Sequence, residues 1–450
     1  VDREITMRNE NSRELSSGQD YQRVINAWAM YDWANSAFAV IILTAVFPVY
    51  YRALAASAGV AAENATAYWA YTTSVSLLLV ALLGPVLGAA ADIAGGKKRF
   101  LGGALICGVL GSASLAFIPE GGFFFGSCLF AIGNLGFAIG NIFYEALLPQ
   151  IARNNDFDRV SARGYAFGYL GGGLFLVLSL VALLQPQWLF LANRETAVRA
   201  SFGGVALWWL VFSIPLFRDI RDPQGTERRH LSFRVIAGAL ENLGNTFKDV
   251  RRYRQLTMFL VAFWIYNDGI GTIIKLAAAF GDEIGVDHNQ MLIALVLTQF
   301  IGFPCSIGFG VLARILGSKG AIFLGLGVYT LVTIGAFFMT NAVHFYLLAI
   351  VVGLVQGGTQ ALSRSLFATM VPKNKSAEFF GFFSTGQKVA GIVGPAIFGA
   401  IGQLYNSSRW GIVSVVFLFV TGALLLWHVD EAEGRRVAES MESRASRRRP

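Results

Sequence analysis

Runs of about 20 or more largely apolar residues follow one another along this chain with short polar connectors between them, and each is long enough for a helix to cross the hydrocarbon of a bilayer. They lie near 26–52, 66–91, 99–118, 122–148, 162–185 and 197–217, and again near 255–281, 289–313, 319–340, 342–371, 377–404 and 409–428. Backbone N–H and C=O groups find no water in hydrocarbon, so a spanning segment must satisfy them internally, as a helix does. An all-α integral membrane fold follows, with twelve transmembrane helices in two pseudo-symmetric six-helix bundles. The expected boundaries are a tail at 1–25, a first bundle at 26–217, a linker at 218–254, a second bundle at 255–428 and a tail at 429–450. Composition excludes the soluble alternative, since 14% charged residues is well short of the roughly 25% an ordinary soluble domain carries. Fifty glycines suit helices that approach closely in lipid.

The net charge of +8 sits mainly in connectors, which marks topology and gives no reason to invoke nucleic acid. If even-numbered connectors are cytoplasmic, that side holds roughly twenty Lys and Arg against about four on the other. Lys97, Lys98 and Arg99, then Arg153, Arg159 and Arg163, then the linker, Arg314, Lys319, Lys373 and Lys375 all fall there. Both termini are expected in the cytoplasm and the protein in a bacterial inner membrane. The first twenty or so residues are polar, with no apolar core of a cleaved signal peptide, and Arg447 to Arg449 would lie near anionic lipid. Cys107, Cys128 and Cys305 read as buried thiols. In the linker, Arg234–Gln255 sets Val235, Ala239, Leu243 and Phe247 at near-helical spacing, so this segment either lies on the inner leaflet or covers the end of the bundle.

No phosphate-binding loop, HExxH, GxSxG or Cys/His cluster occurs, so an enzyme, a nucleotide-driven pump and a metal or cofactor site are not expected. The informative residues are polar groups inside the apolar runs, because an ionisable side chain at mid-bilayer costs about 2.5–3.5 kcal/mol and usually faces a bundle interior or a wet cavity. In the first span Asp32 and Asn35 share a face, and in the fourth Asn134, Asn141 and Glu145 do. In the tenth, Gln356, Gln360 and Arg364 recur at i, i+4 and i+8, with Arg364 at a depth like that of Glu145. An interdomain charge pair from Asp32 or Glu145 to Arg364, formed as the cytoplasmic side closes, is expected. Asp268, beside Asn267, shares a face of the seventh span with Thr272 and Lys275 and falls near the level of Lys388, while Gln299 adds a hydrogen-bonding group in the eighth. Asp268 and Lys388 would pair with each other or bind the ends of a zwitterion, or Asp268 would carry a coupling proton. Asp92 ends the second span, where the helix dipole disfavours an acid. The N-terminal end of the eleventh span or Arg153 would receive it as a latch.

The halves repeat weakly: GAAADIAGGKKR after the second span answers GVLARILGSKG after the eighth, with Gly88 against Gly310, and Pro149 stands opposite Pro372. The string GPVLGAAADIAGGKKR resembles the signature between the second and third helices of the major facilitator superfamily. YDWANSAFAVIILTAVFPVYY, SRSLFATMVPKNKSAEFFGFFS and GQKVAGIVGPAIFG resemble its bacterial branch related to the autophagy-related vacuolar amino-acid effluxer. This resemblance implies a cavity lined mainly by helices 1, 4, 7 and 10, ion coupling, and a cytoplasmic latch of Gly88, Asp92 and Lys97 to Arg99. Arg314 replaces the matching acid in the second half, which puts the corresponding latch there in doubt.

The expected function is secondary transport of a small polar or zwitterionic solute such as an amino acid by alternating access, coupled to protons, by a monomer in contact with membrane lipid. An exporter or flippase of a hydrophobic substrate is the alternative, encouraged by 37 phenylalanines. A non-transporting sensor or scaffold is the alternative of another class.

Overall fold

A computed structural model describes residues 2–153, 155–221, 233–248, 253–391, 393–405 and 407–447. Every regular element among them is helical. The first span is α1 (Asp2–Phe38), a π-helical stretch (Ala39–Ala45) and α2 (Phe47–Ser57). Pro48 lacks the N–H that an uninterrupted helix would need, so the span restarts there with a 44° bend. The rest of the first half is α3 (Ala62–Ala94), α4 (Lys97–Ser114), α5 (Phe123–Ile151), α6 (Phe157–Leu184) and α7 (Arg194–Asp219). The linker forms α8 (Phe233–Lys248). The second half is α9 (Arg254–Glu283), α10 (His288–Ala336), α11 (Ala342–Met370), α12 (Ser376–Ala390), α13 (Val393–Leu404), α14 (Ser408–Ser414) and α15 (Val416–Trp427), followed by a tail helix α16 (Glu431–Arg447).

Among the described residues nine helices are long and apolar enough to cross a bilayer, and the bent first span makes ten. Helix α10, at 49 residues, is about 74 Å long, more than twice the hydrocarbon thickness, and Gly317 breaks it with φ 75°. It therefore supplies two crossings, and α12 with α13 completes a twelfth. Gly95 (φ 70°) and Gly96 (φ 82°) make the equivalent reversal between α3 and α4. Only glycine takes that left-handed turn freely, and its recurrence gives the repeat a structural basis.

The halves meet along two edges. On one, α12 runs beside α3, and Gly88 packs so closely that a Cβ there would lie 2.2 Å from the Ala377 carbonyl oxygen. On the other, α6 runs beside α10 and α11, and Gly310 stands 2.9 Å from the Ala162 methyl by the same measure. The two contacts are related by the repeat: each glycine lies late in the second helix of its half and faces the start of the fifth helix of the other.

Helix α8 seats Val235, Ala239 and Leu243 on Ala89, Ala90 and Ala94 of α3, so the linker segment covers the end of the bundle. The Phe247 side chain lies outside the described residues. Helix α16 closes the same end of the second half. Gln255 Nε2 donates to the Glu433 carboxylate, Gly434 packs on Met370, and the Lys373 N–H donates to Glu442 Oε1 at 2.8 Å. The tails and linker thus gather at one end, here termed the linker side. The cysteines are unpaired and none is buried: Cys128 is exposed and Cys107 and Cys305 are half-buried, contrary to their reading as buried thiols. The outer surface of a spanning bundle is lipid, so an apolar thiol is at no disadvantage there.

Candidate functional site

Arg364 is almost wholly enclosed, with 1% of its surface exposed. Its guanidinium joins the halves: Nη1 lies 3.2 Å from Asp32 Oδ2, Nε donates to Ser161 Oγ at 2.9 Å, and Nη2 donates to the Ser161 carbonyl at 2.9 Å. Tyr144 donates its hydroxyl to the same Asp32 oxygen at 2.8 Å. The ring of Trp28 stacks on Tyr144 with centroids 4.4 Å apart, and Trp28 Nε1 donates to the Tyr144 carbonyl. Trp28, Tyr144 and Tyr165 surround the cation at 4.8, 5.6 and 4.4 Å from ring centroids, where the faces of the rings attract it. Gly164 makes room, because a Cβ there would sit 2.7 Å from Asp32 Oδ2 and 2.8 Å from Arg364 Nη2. Asp32 and Arg364 were both legible as buried charges. Ser161 and Tyr144 were not, since a serine or a tyrosine in an apolar run has no distinguishing pattern.

Further polar pairs lie within the first half. Asn35 Nδ2 donates to Asn141 Oδ1 at 2.6 Å, joining the first and fourth spans, and Asn134 donates to Ser76. Glu145, half-buried, makes no ion pair within 4.0 Å among the described residues, yet Arg364, Asp32 and Lys388 all lie within electrostatic range of it. Lys388 in turn lies within range of Glu145 and Lys275, and Lys275 within range of Asp268. Charges from both halves therefore form one connected series. Asn267, Gln299, Gln356 and Gln360 are half-buried on the helices around it.

The expected pairing of Asp268 with Lys388 is absent. The eleventh span breaks between α12 and α13, and Asp268 Oδ2 instead accepts the Gly394 N–H at 2.6 Å, while Lys275 Nζ donates to the Gly391 carbonyl at 2.9 Å. A broken helix leaves backbone groups free, and these two side chains satisfy them.

At the linker side Asp92 accepts the N–H groups of Ala377 (3.3 Å) and Glu378 (2.8 Å), the start of the eleventh span, where helix-end amides favour an anion. Lys97 Nζ lies 2.9 Å from Asp92 Oδ1 and also donates to Ser376 Oγ and the Lys373 carbonyl. Three other basic residues lie elsewhere. Arg153 rests on the Tyr21 ring at 4.3 Å, Lys98 donates to the Phe217 and Ile220 carbonyls within its own half, and Arg99 is exposed. Arg153 is therefore not the partner of Asp92, because the helix N-terminus already supplies two donors.

The other edge has a latch that the sequence reading missed. With Arg314 in the repeat position, the acid is contributed by the facing helix: Asp158 accepts Ser365 Oγ at 2.5 Å and Ser318 Oγ at 2.8 Å. Its place in the first turn of α6 was the only signal. Asp158→Ala is expected to lose about 1–3 kcal/mol from the closed state, since two hydroxyls lose their acceptor. The midpoint of thermal unfolding of the purified protein measures it, and an unchanged midpoint would remove Asp158 from the closure.

Residues 62–439 match the family described as vacuole effluxer Atg22 like. The chain is 37% identical over 415 residues to the uncharacterized MFS-type transporter YxiO of Bacillus subtilis (strain 168), covering 92% of this chain and 96% of that one. Among solved structures, the human organic anion transporter MFSD10 superposes with TM-score 0.69 at 14% identity, covering 90% of this chain and 99% of that chain. The proton:xylose symporter XylE superposes with TM-score 0.67 at 12% identity, covering 94% and 98% respectively. At such identities the solved structures speak for the fold, which is that of the major facilitator superfamily. With the helical pairs, the two glycine contacts and the matched sequence in hand, this multi-pass membrane chain belongs to the Atg22-like vacuole effluxer family of that superfamily, whose members are transporters and not enzymes.

Proposed function

We propose that the chain carries a small zwitterionic solute, of the amino-acid class, by alternating access, with the linker side in the cytoplasm of a bacterial inner membrane and the monomer as the working unit. The observation that carries this reading is the series of opposite charges from the Asp32–Arg364 pair through Glu145 to Lys388, contributed by both halves. A solute with both an ammonium and a carboxylate meets both signs in such a series. Asn35, Asn141, Gln299, Gln356 and Gln360 offer neutral hydrogen bonds along the way, and Asn134 braces the fourth span. The basic connectors support the orientation.

The described conformation is closed on the linker side. Asp92, Lys97, Gly88 and Asp158 hold the halves together there, and Arg364 to Asp32 forms the innermost bond across the seam. Release of these contacts would open the cavity to the cytoplasm.

Glu145 is the residue best placed to couple movement to protons. It faces the interior without an ion-pair partner, next to a fixed arginine whose charge is already matched by Asp32. Glu145→Gln keeps the shape and removes the exchangeable proton. In proteoliposomes, uptake of labelled amino acids driven by a pH gradient is expected to fall at least about tenfold in this variant, the effect of losing about 1.4 kcal/mol of coupling, while exchange without a gradient persists. Equal response to the gradient in both proteins would reject Glu145 as the coupling group. No flux or binding of any amino acid by the unmodified protein would reject the substrate class.

A further inference from the structure

Trp264 and Asp268 stand four residues apart on α9 and share a face. Tyr266, on another face, bonds Ser363 of α11. The face of Trp264 and Asp268 borders a cavity of about 630 Å³ at the edge where α3, α8, α12 and α15 converge, within the range of about 300–1,000 Å³ common for small-molecule sites. Pro85, Leu243, Phe382 and Leu418 make its walls almost wholly apolar. At its mouth Leu82 is 62%, Val393 50% and Val261 38% exposed, and exposed side chains on spanning helices face acyl chains.

Asp268 is 2% exposed. Oδ2 has the Gly394 N–H, but Oδ1 has no hydrogen-bond partner, and the nearest base, Lys275, is engaged with the Gly391 carbonyl. The Thr272 hydroxyl, one turn on and likewise buried without a partner, flanks Gly394 on the same side. A buried carboxyl oxygen without a donor is costly, and a charged N–H donor offsets that cost best. The indole of Trp264, one turn away, packs on Gly386 and forms another wall of the cavity. The remaining polar side chain in the lining, Thr385, is already occupied by the Ala81 carbonyl.

We propose that this lateral crevice is a second binding site, at the Asp268 end of the charged series and apart from the Asp32–Arg364 pair, which takes the protonated amine of an amphiphile: its ammonium donates to Asp268 Oδ1 and its alkyl part lies against Pro85, Phe382 and Leu418. The ligand enters sideways from the bilayer past Leu82. The walls exclude water, so alkyl burial supplies affinity and the single carboxyl selects an amine over an alcohol or an anion of equal length.

Radiolabelled dodecylamine and the full chain in phosphatidylcholine nanodiscs test this, with empty nanodiscs subtracted. Saturable binding is expected, displaced by unlabelled dodecylamine but not by dodecanol or dodecyl sulfate. Asp268→Asn is expected to weaken it about ten- to a hundredfold, the effect of losing one charge-assisted hydrogen bond. Leu82→Trp, at an exposed position that disturbs no packing, is expected to narrow the mouth and weaken binding as well. Equal displacement by dodecanol would reduce the site to an apolar crevice and overturn the proposal, as would full affinity in Asp268→Asn. Abolition of binding in phosphatidylethanolamine nanodiscs, whose headgroup is itself a protonated primary amine, would support the site by showing that an aminophospholipid occupies it. If Asp268→Asn fails to fold, wild type and Leu82→Trp compared across the same displacement series decide the matter.

Discussion

Arg364→Ala is expected to abolish transport and to destabilise the protein by about 3–5 kcal/mol, the range for removing one partner of a buried ion pair. The loss is not that of the Asp32 bond alone. Ser161 loses two donated hydrogen bonds, three aromatic rings lose the cation they surround, and the Asp32 carboxylate keeps only the Tyr144 hydroxyl. Arg364→Lys does not repair this, because an ammonium cannot reach Ser161 Oγ, the Ser161 carbonyl and Asp32 with a planar fork of donors. Adding Asp32→Asn to Arg364→Ala removes the stranded charge and is expected to recover part of the unfolding midpoint, but none of the transport. Wild type, Arg364→Ala, Asp32→Asn and the double variant form a double-mutant cycle by thermal unfolding and proteoliposome uptake. Additive losses in both measurements would mean that Asp32 and Arg364 act separately, and the proposed closure would fail with them.

The second large effect is expected at Gly88. A methyl there would meet the Ala377 carbonyl oxygen at 2.2 Å and its carbon at 2.8 Å, and backbone of a helix start has no flexible end to move aside. Gly88→Ala should therefore prevent the linker side from closing while leaving each half folded. In spin-label distance measurements between the linker-side ends of α3 and α12, the population is expected to shift almost entirely to the longer separation. A penalty of about 3 kcal/mol, at the upper end for overpacked interiors, already moves an equilibrium more than a hundredfold. A wild-type distance distribution in Gly88→Ala would show that the interface yields, and that close backbone approach at this edge is not required for closure. Gly310→Ala meets only a side-chain methyl at 2.9 Å and is expected to do less.

The crossings were legible because hydrocarbon imposes one requirement on all of them. Their ends in the sequence reading fall within a few residues of the helices for α4 and α7, where Lys97 and Arg218 mark the interface, and less well where helices run beyond the membrane. Helix α1 extends to Asp2 through a segment whose polar composition reads as a tail. Asp32, Glu145 and Arg364 stood out because charge in an apolar run is conspicuous, and their spacing on three helices placed them at related depths. Two things were out of reach. Depth along a helix does not fix rotation about its axis, so a similar expected depth for Asp268 and Lys388 did not make them a pair. Breaks in the eleventh span also create free backbone groups that no pattern of side chains announces, and these claimed Asp268 and Lys275. Asp158 was missed for a third reason: the repeat directs attention to position 314, whereas the acid that serves the second edge is contributed by the facing helix.

The turn that begins the eleventh span holds a further consequence. The Lys373 carbonyl accepts a hydrogen bond from Lys97 of the first half and the Lys373 N–H donates one to Glu442 of the tail helix, so a single residue links both. Glu433 ties the same helix to Gln255, and a void of about 90 Å³ separates parts of it from Pro149 and Phe157 of the first half. The carboxyl-terminal segment is thus tied to the second half and faces the first across a gap and not through tight packing. Deleting α16 would strip one of the two anchors from that shared residue and loosen Lys97 at a distance, so a truncated chain and a complete one should differ in how long they dwell shut.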